Sequence, residues 1–296
     1  MSAARDFPNQ PILEVREPEG PVSAFVINSP HSGNFYPAAF LAQSRLTKEA
    51  IRRSEDCFVD ELFSGCTALG APMLSAKFPR AYLDVNREPF ELDPKMFIET
   101  LPSHVNSQSL RVGGGLGTIP RIVGDGMEIY RARMPFSEAL GRIETIYRPY
   151  HAELKRLVMQ ARQSRGTAIL IDCHSMPGSI RIGERGVRPD VVVGDRFGAS
   201  ASRDIAEMAL HCLRDLGFVA AYNKPYAGGF ITEHYGRPLR GLHALQIEVS
   251  RSLYMDEQGF TKSPGFEGLR RAINAFLEKF MSMAGVDRNY PPLAAE

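Results

Sequence analysis

The chain has 296 residues, 44% of them hydrophobic, with 35 basic and 34 acidic side chains for a formal net charge of +1. That length can bury the core of one large domain, and the balanced, intermixed charge excludes a basic stripe built for a nucleic-acid partner or an anionic membrane surface. No apolar run reaches the roughly 18 residues of a membrane span, Met1 to Gln10 has no hydrophobic signal core, and Cys57, Cys66, Cys173 and Cys212 lack CxxC spacing, so the expectation is a cytoplasmic protein with reduced thiols.

Residues 1–20, rich in Pro and Glu, are expected on the surface. Val22 to Ile27 reads as the first strand and runs into Asn28-Ser29-Pro30-His31-Ser32-Gly33, a tight turn that carries an imidazole. Leu46 to Cys66 reads as a helix: Thr47 is placed to cap it, Glu49 follows, and Ile51, Phe58, Val59, Leu62 and Phe63 suggest a buried stripe. Glu55-Asp56 falls inside that helix. Pro72 to Leu74 opens an extended segment that continues through Ala81 to Val85 and ends in Asn86-Arg87, an amide beside a planar fork suited to a carboxylate. Glu88 to Arg133 is loop-rich. Its glycine run, Gly113 to Gly117, lacks the Gly-Lys-Ser/Thr ending of a phosphate loop and reads as a mobile flap, with Arg121 a candidate substrate contact.

Met134 to Gln163 is the longest helical pattern, with Pro135 in the first turn and Leu140, Ile143, Ile146, Leu154 and Leu157 at helical spacing; Pro149 is expected to kink or break it. Next comes Thr167 to Pro177, an apolar run that ends in Asp172-Cys173-His174-Ser175. In open α/β sheets ligands are held at this C-terminal edge. Neighbours on a strand face opposite ways, so Cys173 reads as a buried apolar side chain rather than a nucleophile. A strand at Pro189 to Gly194, a helix at Ala199 to Leu216 with a structural His211, and a polar-aromatic stretch from Tyr222 to Tyr235 follow. That stretch holds Gly228-Gly229 as a flexible point and His234. On the next strand, His243 to Ser250, Glu248 shares a face with Gln246 and Ser250. Gly265 to Met283 is the closing helix, and the Pro-rich tail from Asn289 is expected to be ordered only by packing. This alternation predicts an α/β layer structure with a mostly parallel central sheet, in one domain over 1–296 with a loop-rich insertion around 88–133.

His31, one of Glu55 or Asp56, and His174 supply two imidazoles and a carboxylate from separate elements, the ligand set of a catalytic zinc with a position left for water. Such a metal lowers the pKa of bound water to about 7, and a nearby unligated carboxylate can take the proton. Glu248 is the candidate base. Arg87 with Asn86 would anchor an anionic substrate.

Ser29-Pro30-His31-Ser32-Gly33, Glu55-Asp56-x-Phe-Val-Asp, Leu83-Asp84-Val85-Asn86-Arg87, Asp172-Cys173-His174-Ser175, Gly228-Gly229-Phe230-Ile231-Thr232 and Leu245-Gln246-Ile247-Glu248 occur in this order between Asn28 and Tyr254-Met255-Asp256-Glu257. Together they resemble the N-formylglutamate amidohydrolase family. The resemblance implies a zinc-exopeptidase-like (phosphorylase/hydrolase-like) fold related to zinc carboxypeptidases and aspartoacylase-like deacylases, with a mixed sheet flanked by helices. It also implies His31, Asp56 and His174 as ligands of one divalent metal, expected to be Zn2+, although manganese, iron and cobalt accept the same donors. Asn86 and Arg87 become the carboxylate clamp and Glu248 the general base or acid. The implied reaction is hydrolysis of the formamide of N-formyl-L-glutamate to L-glutamate and formate, a step of histidine degradation.

One departure concerns the carboxylate ligand, because the third residue after His31 is Asn34 where carboxypeptidases carry a glutamate. Asp56 is favoured over Glu55 by its alignment with the family's acidic position and by its expected place one helical turn before Val59. The substrate's two carboxylates call for further cations, with Arg80, Arg121 and Arg181 as candidates, and Tyr254 is placed to close on the substrate. The expected partner is a small anionic N-acyl amino acid, with no nucleic acid and no membrane; no feature sets an oligomeric state. A deacylase of another N-acyl amino acid or short peptide is the alternative, separable by a substrate panel. A non-catalytic binding homologue is the second alternative, and it would bind ligand without turnover.

Overall fold

The structure is a computed structural model that describes residues 10–284 apart from 19 and 185, together with Phe7. The tail from Asn289 and most of the first nine residues lie outside the described residues, and so do the expectations made for them. Seven strands form the central sheet: β1 (Leu13–Arg16), β2 (Phe25–Ser29), β3 (Met73–Ala76), β4 (Ala168–Met176), β5 (Val191–Gly194), β6 (Ala220–Tyr222) and β7 (Leu242–Ser250). Their spatial order is β1-β3-β2-β4-β7-β5-β6. β4 runs parallel to β2 and to β7, β5 runs parallel to β6, and β5 pairs with β7 antiparallel. This is the mixed, mostly parallel sheet expected of the sequence.

The chain divides into two compact units. One comprises the chain up to Glu14, Pro30–Glu55 and Ser75–Glu153; the other comprises Val15–Ser29, Asp56–Leu74 and the chain from Leu154. The second unit holds the main apolar core. Its central strands bury residues on both faces, which is why they read as near-continuous apolar runs. Phe25, Ile27, Ile169, Ile171, Cys173, Leu245, Ile247 and Val249 enter this core, and helix Arg203–Asp215 and helix Phe266–Ala284 close it with Ile205, Ala209, Leu213, Ile273, Phe276 and Phe280. Phe280 meets Phe25 edge-on at 5.2 Å and stacks on Phe276 at 5.6 Å.

The first unit, which contains the loop-rich segment 88–133, centres on a buried cation. The Arg142 guanidinium lies 3.9 Å from the Tyr82 ring centroid and 5.7 Å from that of Phe40. It donates to Tyr82 O at 2.9 Å and to Tyr130 Oη at 2.8 Å. Burial opposes the charge, but Tyr130, Tyr82 and Glu138 outweigh it and raise the Arg142 pKa. Within the glycine run, a Cβ on Gly117 would come within 2.2 Å of Glu91 O, so the loop is packed against backbone there.

Two local expectations are overturned. The single helix over Leu46 to Cys66 breaks into Lys48–Ile51, a 3-10 turn Arg52–Ser54, Val59–Leu62 and a 3-10 stretch Ser64–Leu69. Glu55 is extended and Phe58 is left-handed at φ 63°, so Asp56 lies in the break and not one helical turn before Val59. Ala81 to Arg87 forms turns rather than a strand, with the N–H groups of Tyr82 and Leu83 both donating to Pro79 O. Near Pro149, expected to kink or break its helix, Phe136–Arg142 passes through a π-helical turn, Ile143–Tyr147, into Arg148–Arg165. The widened turn makes room where the proline offers no N–H and its ring crowds the preceding carbonyls. β1 arises within the segment expected only to lie on the surface. Among the described residues no helix is long and apolar enough to cross a membrane.

Removing the Phe280 ring leaves a void against Phe25 and Phe276, so Phe280→Ala is expected to lower stability by about 3–5 kcal/mol, measured by urea unfolding.

Candidate active site

In the second unit strand register builds the polar side of the site. Asn28 of β2 lies opposite Asp172 of β4, which lies opposite Gln246 of β7, and His174 lies opposite Glu248. Side chains two apart share a face, so these buried groups gather on one side while Ile171, Cys173 and Ile247 enter the core on the other. Burial pushes the Cys173 thiol well above its ordinary range, consistent with an inert apolar role.

Asn28 Nδ2 donates to Asp172 Oδ1 at 2.7 Å, and Asp172 Oδ2 lies 2.9 Å from His174 Nε2. The other ring nitrogen, Nδ1, is 3.0 Å from Asp56 Oδ2. Burial opposes a charged imidazole, but Asp172, Asp56 and Glu248 outweigh it and hold His174 well above the usual histidine range. Glu248 is 8% exposed and accepts from Gln246 Nε2 at 2.8 Å; Gln246 Oε1 accepts the Gly229 N–H at 2.9 Å. The second oxygen of Asp56, Oδ1, accepts from Ser175 Oγ at 3.0 Å and from Arg251 Nη2 at 3.2 Å.

In the first unit a similar lock forms around Asp84. His31 stands two residues beyond the end of β2, and its Nε2 is 2.8 Å from Asp84 Oδ1. The same carboxylate accepts the Asn86 N–H at 2.8 Å and Arg80 Nε at 2.9 Å, with Arg87 Nη2 at 3.6 Å. Burial would raise this carboxyl, but Arg80, Arg87 and His31 hold it well below the ordinary range. Arg87 donates Nε to Leu116 O and Nη1 to Asn86 O, both at 2.7 Å, and burial lowers its pKa to about 10 against the pull of Asp84. Tyr147 Oη donates to Arg87 O at 2.6 Å and His151 Nε2 meets Val85 O at 2.8 Å, so the long helix braces the backbone of this loop. Glu55 accepts from Tyr36 Oη at 2.6 Å, and both its oxygens lie 3.1 Å from Arg52 Nε. That engagement leaves Asp56 as the acid that faces an imidazole.

The family model described as N-formylglutamate amidohydrolase matches residues 23–255. The chain belongs to this family. An N-formylglutamate deformylase from Pseudomonas putida is 30% identical over 236 residues, 78% of this chain and 82% of its own length. Another, from Pseudomonas aeruginosa, is 28% identical over 263 residues, 87% of this chain and 92% of its own. The crystal structure of N-formylglutamate amidohydrolase from Ralstonia eutropha aligns with a TM-score of 0.86 and 32% identity, covering 92% of this chain and 97% of that one. An Agrobacterium tumefaciens gene product, 17% identical with a TM-score of 0.63 over 92% of this chain and 94% of its own, shares the fold.

Of the residues expected in the site of an N-formylglutamate amidohydrolase, His31, Arg80, Asn86 and Arg87 gather around Asp84, and Asp56, His174 and Glu248 gather in the other unit. Arg121 is held by Asp93 at 2.8 Å and Glu128 at 3.3 Å, and Arg181 is exposed. The Tyr254 ring is fully buried against Phe266. Sequence reasoning assigned no role to Asn28, Asp84, Asp172, Ser175 or Arg251. The spacing of Asp172 two residues before His174 was a usable signal; nothing local marked Asp84 or Arg251.

Gly33 follows His31 by two residues, and a Cβ there would sit 2.1 Å from Phe78 O. Gly33→Ala is therefore expected to displace the His31 turn and destabilise by about 1–3 kcal/mol, read from the unfolding midpoint.

Proposed function

We propose that this chain hydrolyses the formamide of N-formyl-L-glutamate to L-glutamate and formate, with one divalent metal, Zn2+, held by His31, Asp56 and His174, as a cytoplasmic enzyme of histidine degradation. Family membership supports the reaction. The observation that carries the metal assignment is that both imidazoles meet a buried carboxylate at Nε2, Asp84 for His31 and Asp172 for His174. A carboxylate on Nε2, the usual outer partner of a metal-bound histidine, orients the ring and directs Nδ1 to where a metal would sit. The donors fit: His31, Asp56 and His174 are all buried and each offers one ligand atom, a set that could hold a metal ion. His174 Nδ1 and Asp56 Oδ2, 3.0 Å apart, suit a shared cation.

When bound, such a metal polarises the formyl carbonyl and lowers the pKa of water. The remaining chemistry belongs to the chain. Glu248 takes the proton of the attacking water and passes it to the departing nitrogen as the C–N bond breaks, giving formate and the amine of glutamate. Gln246, bonded to Glu248 and to the Gly229 backbone, keeps that carboxylate aimed. Asn86 and Arg87 anchor one substrate carboxylate. Arg80, Arg121 and Arg181 are candidates for the second, and Arg80 already shares Asp84 with Arg87.

Purified protein is expected to release formate from N-formyl-L-glutamate, to lose that activity on chelation and to recover it with Zn2+; formate release at equal rates across a panel of N-acyl amino acids would reject glutamate selectivity. Glu248→Gln is expected to bind Zn2+ normally and to lose about 10²–10⁴-fold in kcat, and full activity in that variant would remove Glu248 from the proton path.

A further inference from the structure

Two side chains meet at one oxygen of Asp56. Oδ1 accepts from Ser175 Oγ at 3.0 Å and from Arg251 Nη2 at 3.2 Å, and Arg251 Nε reaches Ser175 Oγ at 3.0 Å. The other oxygen, Oδ2, lies 3.0 Å from His174 Nδ1. All four residues are buried or nearly so: the Arg251 side chain is 12% exposed and that of Asp56 is 2% exposed. Burial opposes the Arg251 charge, but Asp56 outweighs it and holds the guanidinium protonated. Asp56 itself lies between two helical segments, flanked by extended Glu55 and left-handed Phe58, so its backbone is also restrained.

We propose that Arg251 and Ser175 are positioning residues that make Asp56 a one-oxygen metal ligand, holding Oδ1 so that Oδ2 alone faces the ion. This rests on the reading of Asp56 as a ligand. A carboxylate can grip a divalent ion through one oxygen or through both. Charge-assisted hydrogen bonds on Oδ1 compete with the two-oxygen mode and so keep a coordination position open for water or substrate. The planar fork of arginine spans Ser175 and Asp56 from two nitrogens at once, which the single ammonium of lysine does less well.

The test titrates metal-stripped protein with Zn2+ against a chromophoric chelator and records the visible absorption of the Co2+ form, which reports coordination number. Arg251→Gln is expected to weaken Zn2+ binding about 10–100-fold and to change the cobalt spectrum towards higher coordination. Ser175→Ala should shift both in the same direction by less, and Arg251→Lys should restore part of the affinity. Circular dichroism of the metal-stripped proteins confirms folding; if Arg251→Gln does not fold, Ser175→Ala carries the test with the same two readouts. Asp56→Asn separates the two readings. If it leaves Zn2+ affinity unchanged, Asp56 is no ligand and both fall. If it weakens binding while the folded Arg251 and Ser175 variants match the wild type in affinity and spectrum, the ligand stands and the positioning role is overturned.

Discussion

In β4 the side chains of Ile171 and Cys173 enter the apolar core while those of Asp172 and His174 leave on the opposite face, and register with Asn28, Gln246 and Glu248 extends the polar side across three strands. A slip of one residue would exchange the two sets. It would press an imidazole and a carboxylate into hydrocarbon and turn Ile171 outward. Burying an unpaired charge costs several kcal/mol, so the core and the site enforce the same register. The helix Phe266–Ala284 therefore has an indirect part in the chemistry: Phe276 and Phe280 fill the side of the sheet from which the polar residues are excluded.

The polar groups stay buried because their lone pairs and protons are matched, not because the region is apolar. Asp172 is met by Asn28 and His174, and Asp84 by His31, Arg80 and the Asn86 N–H. In both cases a carboxylate occupies Nε2 of a histidine, so the ring cannot rotate without giving up a buried hydrogen bond. A ring fixed in this way presents Nδ1 in one direction before any ligand arrives. Preorganisation of this kind is what a metal-bound histidine asks of its surroundings.

The elements that could be read from the sequence are those whose information is local. β4, β5 and β7 show as compact apolar blocks, and helices Arg203–Asp215 and Phe266–Ala284 show as amphipathic stripes, so the α/β layer class followed directly. The residues at the site came mainly from the resemblance, since spacing alone left Glu55 and Asp56 open. The failures share a cause. The helix expected over Leu46 to Cys66 breaks where Glu55 bonds Tyr36 and Asp56 bonds Ser175 and Arg251, partners up to 195 positions away. Ala81 to Arg87 turns because Asp84 must reach His31, 53 positions earlier. Helix propensity and alternation carry no record of such long-range polar pairings, which override both.

Glu55 and Asp56 show how far adjacent, chemically similar residues can diverge. In a continuous helix two successive acids point about 100° apart, and the one nearer the apolar stripe would simply be the more buried. The break allows something different. Glu55 is extended and bonds Tyr36 and Arg52, whereas Asp56 begins the next stretch of chain and turns to His174. Both are about equally buried, at 2% exposure, so burial alone could not tell them apart. Their partners do. Glu55 is bonded by a hydroxyl and a guanidinium, while Asp56 directs one oxygen to an imidazole nitrogen and has the other restrained by Arg251 and Ser175. On the proposed reading of Asp56 as the metal's carboxylate ligand, the shorter side chain has one fewer rotatable bond to freeze. The longer acid is then free to fasten the turn that sets the shorter one in place.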